Sequence, residues 1–213
     1  MNSSKEIFKI LNNDHLVFKG NRKSKKIKNI IKKAPRGTSI EERPIEIFFR
    51  KEFGHWEMDC ICGPTKYALL VLTERLTRKE IIFQISNKKA ETIVHYLNIL
   101  ERQFGKNFSK IFKTITVDNG VEFSDWIHLE KSRYGKHKRT KIYYCHPYCS
   151  SERGTNERLN REIRRLIPKG SDLSKYTKDD IKQVENWVNN YPRQIFNFKT
   201  SNELFHTQLL KLA

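Results

Sequence analysis

Between His55 and Ser86 the chain carries three short apolar runs, HWEMDCIC (His55–Cys62), YALLVLT (Tyr67–Thr73) and EIIFQIS (Glu80–Ser86), joined by brief links. The middle run is continuous, bounded by polar residues and too short for a typical helix, so all three read as strands. Links this brief let consecutive strands pair as an antiparallel meander. The pattern then changes. NKKAETIVHYLNILERQFG predicts a helix capped by Asn87, with Ile93, Leu97, Leu100 and Phe104 on one stripe and Gly105 ending it. A β-branched fourth strand is expected over Ile111–Val117, a short helix over Ser124–Glu130, and a fifth strand at KIYYCH. ERGTNERLNREIRRLIPKG reads as a strongly basic helix stopped by Pro168 and Gly170, and a final helix is expected around Lys178–Asn189.

Strands separated by helices add to a sheet in parallel, through right-handed crossovers. The expected fold is therefore α/β: a five-stranded mixed sheet flanked by helices, in an RNase H-like arrangement. In such a sheet the first and fourth strands can lie side by side. Asp59 sits in the first and Asp118 ends the fourth, so two carboxylates separated by 58 residues of sequence can meet at one edge. Two carboxylates that close repel, and one would be protonated near neutrality unless a cation lay between them. Hard divalent ions prefer oxygen ligands, and a third carboxylate from a neighbouring helix would complete a site for two of them. The basic helix offers Glu152 and Glu157. They lie five residues apart and point in different directions, and spacing alone does not choose between them.

Charge narrows the partner. Among 213 residues the net charge is +18 and the pI about 9.8. A compact basic protein of this size is expected to meet a polyanion, most often nucleic acid. No apolar run is long enough to span a bilayer, and the N-terminus lacks a signal-peptide core, so the sequence reads as cytoplasmic. Residues 1–45 read as a basic arm, with eight Lys or Arg between Arg22 and Arg36, Lys25 and Lys26 among them; the folded core is placed at 46–213. Arg153, Arg158, Arg161, Arg164, Arg165 and Lys169 form a second basic set beside the candidate carboxylates. Such residues contact phosphates and position DNA without reading its sequence. Cys60, Cys62, Cys145 and Cys149 lack the C-x2-C spacing of a zinc site and read as reduced thiols. Trp56, Trp126 and Trp187 are expected in the core.

Six segments carry a resemblance: FGHWEMD, TERLTR, ITVDNGVEF, HPYCSSERGTNERLN, IRRLIPKG and NNYPRQIFNFKTSNELF. In this order, from about Ile40 to Phe205, they resemble the bacterial insertion-sequence transposases of the family numbered thirty, which have a DDE catalytic core. The resemblance implies a retroviral integrase-like RNase H fold and a triad of two aspartates and a glutamate. The family aspartates fall on Asp59 and Asp118. The family glutamate follows RG-x-N and falls on Glu157, with Glu152 as the alternative. Asn119, Glu122, Asn156 and Asn160 match positions that support the triad, although Asn119 and Gly120 also suit a simple turn. The implied chemistry is cleavage of double-stranded DNA at element ends and strand transfer into target DNA. It implies two Mg²⁺ ions, replaceable by Mn²⁺, and a homo-oligomer assembled on DNA. Compared with the family pattern, the chain resembles only the tail of an N-terminal helix-turn-helix region, and Met58 stands where the family often has Gly. A truncated form suggests the alternative of an idle DNA-binding remnant or an inhibitor of the full-length enzyme.

Overall fold

The computed structural model describes residues 37–147 and 149–212; the side chains of Ser150, Ser151 and Glu157 lie outside that description, as do Lys25, Lys26 and most of the basic arm. Five strands form one mixed sheet: β1 (His55–Cys62), β2 (Ala68–Glu74), β3 (Glu80–Ile85), β4 (Thr114–Val117) and β5 (Lys141–Tyr144), in the order β3-β2-β1-β4-β5. β1, β2 and β3 pair antiparallel, while β4 lies parallel to both β1 and β5. This is the mixed RNase H-like sheet expected from the sequence.

Period-two alternation sends the sheet's side chains into two cores. On one side Trp56, Met58, Leu70, Leu72 and Ile115 pack against α1 (Ala90–Phe104), α2 (Phe108–Ile111), α3 (Trp126–Glu130) and Phe205 of α6 (Ser201–Leu210). On the other, Ile61, Leu69, Val71 and Ile82 meet Ile163 of α4 (Gly154–Leu166) and Ile181, Val184 and Val188 of α5 (Lys178–Asn190). Burial on both faces explains why β2 reads as an unbroken apolar run. Met58 is fully buried, so its bulk is absorbed by the core rather than crowding Asp59.

Several local expectations need correction. The fourth strand begins at Thr114, because Ile111 and Phe112 belong to a helical turn whose side chains fill the core. Lys89 holds the α1 cap position; Asn87 instead accepts from Lys89 N at 3.0 Å and Thr92 Oγ1 at 2.7 Å. The basic helix starts at Gly154, after a 3-10 turn over Ser150–Arg153. The chain continues past α5 into α6, which is capped by Thr200 and Glu203. Trp56 is buried, but Trp187 is 38% exposed and lies against Tyr191, with ring centroids 5.4 Å apart. Residues 37–43 pack on the sheet, with Ser39 bridged to Tyr144 and Arg43 Nη1 2.9 Å from Thr116 Oγ1. Among the described residues no helix is long and apolar enough to cross a membrane.

Candidate active site

The site begins with strand register. β1 and β4 pair in parallel with His55 opposite Thr114 and Glu57 opposite Thr116. Two residues on, the same offset sets Asp59 level with Asp118, just past the end of β4. The alternation that buries Trp56 and Met58 on one face puts Glu57, Asp59 and Ile61 on the other, beneath α4.

One guanidinium joins the pair. Arg153, in the turn entering α4, places Nη1 3.0 Å from Asp59 Oδ1 and Nη2 2.9 Å from Asp118 Oδ2. Burial opposes its charge, but the two carboxylates outweigh burial and hold its pKa above the usual arginine value. The chain itself thus places a positive charge between the aspartates. Asn160, on α4, donates from Nδ2 to Asp59 Oδ2 at 3.0 Å. Glu157 lies on the same helix, three residues before Asn160.

Asp118 is shaped by the turn after β4. Gly120 N donates to its Oδ1 at 2.9 Å, and Asn119 Nδ2 donates to Cys145 O at 2.6 Å, tying the end of β4 to that of β5. Gly120 has φ −61°, which any residue can adopt, so the turn does not require glycine for its backbone. Space does. A Cβ there would fall 2.6 Å from Glu122 Oε2 and 2.9 Å from Asp118 Oδ1. Glu122 therefore stands beside Asp118, with the glycine as the gap between them.

Glu152 lies outside α4. Its Oε2 accepts from His146 N at 2.8 Å and its Oε1 is 2.7 Å from His146 Nδ1, so the β5–α4 loop uses both oxygens. His146 also reaches Glu41 Oε1 at 3.0 Å, and hydrogen bonds to Glu152 and Glu41 raise its pKa.

The basic set divides by position. Arg158, Arg161, Arg165 and Lys169 are exposed, the three arginines at helical spacing along α4. Arg164 donates to Cys62 O at 3.1 Å and Pro168 O at 3.3 Å, fastening the end of α4 to the end of β1. Among the described residues the four cysteines are free, and no three His, Cys, Asp or Glu side chains gather as a metal-holding group. Burial pushes the Cys145 thiol up to about 12.

Sequence reasoning passed over Glu57. It is fully buried, pairs with the Arg75 guanidinium and accepts from Asn156 N at 2.8 Å. It anchors the start of α4 to the strand that carries Asp59. A signal existed: an acidic residue two positions before Asp59 in an otherwise apolar strand must share its face and find a partner.

Several buried polar atoms lack a hydrogen-bond partner among the described residues: Arg153 Nε, Asn160 Oδ1, and both Oδ1 and Nδ2 of Asn156. Of these, Arg153 and Asn160 touch the aspartates, while Asn156 meets Glu57.

No protein-family model matches the chain. Among curated proteins it is 37% identical over 172 residues to the transposase for insertion sequence element IS4351 of Bacteroides fragilis, covering 80% of this chain and 50% of that protein. The probable transposase for the insertion-like sequence element IS1161 of Streptococcus salivarius is 36% identical, covering 79% of this chain and 46% of that protein. The transposase InsI for IS30C of Escherichia coli K12 is 33% identical over 168 residues, with 79% and 42% covered. The chain spans about half the length of these relatives. Over about four fifths of its own length the chain is similar to insertion-sequence transposases, the IS30 protein among them.

Proposed function

We propose that this chain is the catalytic core of a DDE transposase, acting on double-stranded DNA through Asp59, Asp118 and Glu157. The observation that carries the reading is the convergence of Asp59, on β1, and Asp118, just past the end of the adjacent parallel β4, on one cationic group. The donor set fits divalent metal: two carboxylates already converge on a cation, Gly120 keeps the space between Asp118 and Glu122 open, and Arg153 and Asn160, which touch the pair, each keep a buried polar atom without a partner among the described residues. Asp59, Asp118 and Glu157 would hold the ions. Bound there, Mg²⁺ or Mn²⁺ would activate the attacking oxygen and stabilise the leaving one in phosphodiester displacement.

The chain's own residues have distinct tasks. Asp59 is placed by β1 and oriented by Asn160, while Asp118 is placed by the turn after β4 through Gly120 N. Glu57 fixes the start of α4 and with it the position of Glu157 relative to β1. Arg153 neutralises the aspartates and, where they held ions instead, its guanidinium would be free to meet a substrate phosphate. Arg158, Arg161 and Arg165 line the approach as phosphate contacts. The reaction proposed is hydrolysis at an element end, leaving a 3′-hydroxyl, followed by attack of that hydroxyl on target DNA. Neither displacement needs a covalent bond to the protein.

The test is a nicking assay on supercoiled DNA with Mg²⁺ or Mn²⁺, comparing the protein with Asp118→Ala. Nicking by the wild type alone supports the assignment, and equal nicking by both overturns the site. Binding without nicking by either would favour an idle DNA-binding protein. Binding itself should weaken by roughly 10³–10⁵ between about 50 and 200 mM salt if six to ten phosphates are contacted.

A further inference from the structure

A cavity of about 460 Å³, open to solvent, is bounded by the start of α4 and the chain following α5. Four arginines line it: Arg50, Arg78, Arg158 and Arg193. Its acid, Glu162, is paired with Arg165 at 2.9 Å, which leaves the lining strongly cationic. Two aromatic rings join it, Tyr191, which is 43% exposed, and Phe198, which is 71% exposed.

The cavity is built rather than incidental. Arg78 Nη1 donates to Thr155 Oγ1 at 2.7 Å, fixing it against the first turn of α4. Burial and the neighbouring Arg50 charge bring the Arg78 pKa down to about 10, against the opposing pull of Glu57 and Glu74. Arg50 Nε is buried with no partner among the described residues. Arg50, Arg78 and Phe198 all have positive φ, at 56°, 60° and 63°, a backbone region that non-glycine residues seldom enter. Such conformations cluster where a ligand is held.

Its place in the fold connects it to the chemistry. Thr155 receives Arg78 at the cavity, Asn156 N meets Glu57, and Asn160 meets Asp59, all along one helix. Glu57 and Asp59 are two residues apart on β1, or about 6–7 Å. Thr155 and Asn160 are five residues apart, about 7–8 Å along α4, the scale of one to two nucleotides of a strand whose phosphate sits at Asp59 and Asp118.

We propose that this cavity holds one unpaired nucleotide of the DNA strand adjoining the carboxylate pair, its phosphates on the arginines and its base against Phe198 and Tyr191. This rests on the DNA-cleaving reading above. A duplex is too wide to enter, and a paired base keeps both faces covered by its neighbours. Only a base splayed from the stack presents a face to these rings. Stacking of this kind is indifferent to sequence.

The test uses the whole chain in EDTA, so that cleavage plays no part, and follows fluorescence anisotropy of two probes: a short blunt duplex, and the same duplex with a single-stranded tail. The tailed probe should bind about tenfold more tightly than the blunt one. Phe198→Ala should abolish that preference while leaving blunt-duplex binding unchanged, and Phe198→Trp should keep it. Phe198 is exposed, so its truncation does not threaten the fold. Equal binding of both probes by the wild type overturns the pocket and leaves the DNA reading standing, as does Phe198→Ala retaining the tail preference. Failure of the wild type to bind either probe overturns both.

Discussion

The guanidinium of Arg153 lies 2.9 Å from Asp118 and, through its other terminal nitrogen, 3.0 Å from Asp59, so one side chain occupies the position where the proposed ions must bind. Metal and Arg153 are then mutually exclusive partners of the same carboxylates. Removing the guanidinium should cost stability without metal and favour metal when it is supplied. Because Asp118 is 40% exposed, solvent screens the loss, and about 1–2 kcal/mol is expected for Arg153→Gln. For a chain of this size that is roughly 3–6 °C of melting temperature in EDTA. Added Mn²⁺ should raise the melting temperature of the variant more than that of the wild type. An unchanged metal-induced shift would show that Arg153 and the ions do not compete.

Gly120 gives a second handle. Its φ of −61° accommodates alanine, but the new methyl would meet the Glu122 and Asp118 carboxylates. Those are ends of side chains, which can swing aside at little cost to the fold. Gly120→Ala should therefore melt within about 2–4 °C of the wild type, the shift that goes with about 1 kcal/mol. Nicking should fall at least tenfold, since a misplacement of about 1 Å at a reacting centre costs up to about 10² in rate. A variant that nicks normally would mean the Asp118 and Glu122 carboxylates need not hold their present positions.

The two glutamates near the start of α4 can be separated in the same assay. Glu152 is engaged by His146 through both oxygens, which makes it a loop fastener. Glu152→Gln keeps an acceptor for the His146 amide, and nicking should drop by no more than about 10–100-fold, as for a residue acting through a neighbour. Glu157→Gln should reduce nicking to the level of Asp118→Ala while DNA binding persists. The reverse ranking would move the third carboxylate to Glu152.

Much of this was legible in the chain because strand period and brief links dictate pairing. Once HWEMDCIC and TITV are strands, alternation fixes the face of Asp59 and parallel pairing with β4 sets it level with Asp118. What escaped depends on tertiary choice. Ile111 and Phe112 look like strand residues, yet the core needs them in a helical turn. The α6 helix shows little apolar periodicity, although the TSNE sequence at Thr200–Glu203 is a capping box that marks its start. Nothing in a run of arginines says that Arg153 turns inward to the aspartates while Arg158 faces out. Trp187 is exposed because α5 presents it toward Tyr191 and away from the sheet.

Glu80 yields a prediction about stability and pH. It opens β3 fully buried, its Oε1 at 3.5 Å from Thr73 Oγ1 and its Oε2 without a partner among the described residues. Burial, only partly offset by Arg193, pushes its pKa up to about 8. Unfolded, the same carboxyl titrates near about 4.3. Between those values the folded state holds a proton that the unfolded state has lost, so stability falls as pH rises through that window and levels off above it. The slope is about 1.4 kcal/mol per pH unit at most. Glu80→Gln cannot ionise and keeps a comparable shape. The melting temperature of the variant minus that of the wild type should therefore grow steadily from about pH 5 to about pH 8, with other titrating groups cancelling in the difference. A difference that stays constant across that range would show that Glu80 is ionised in the folded protein, held by Arg193 rather than by its proton.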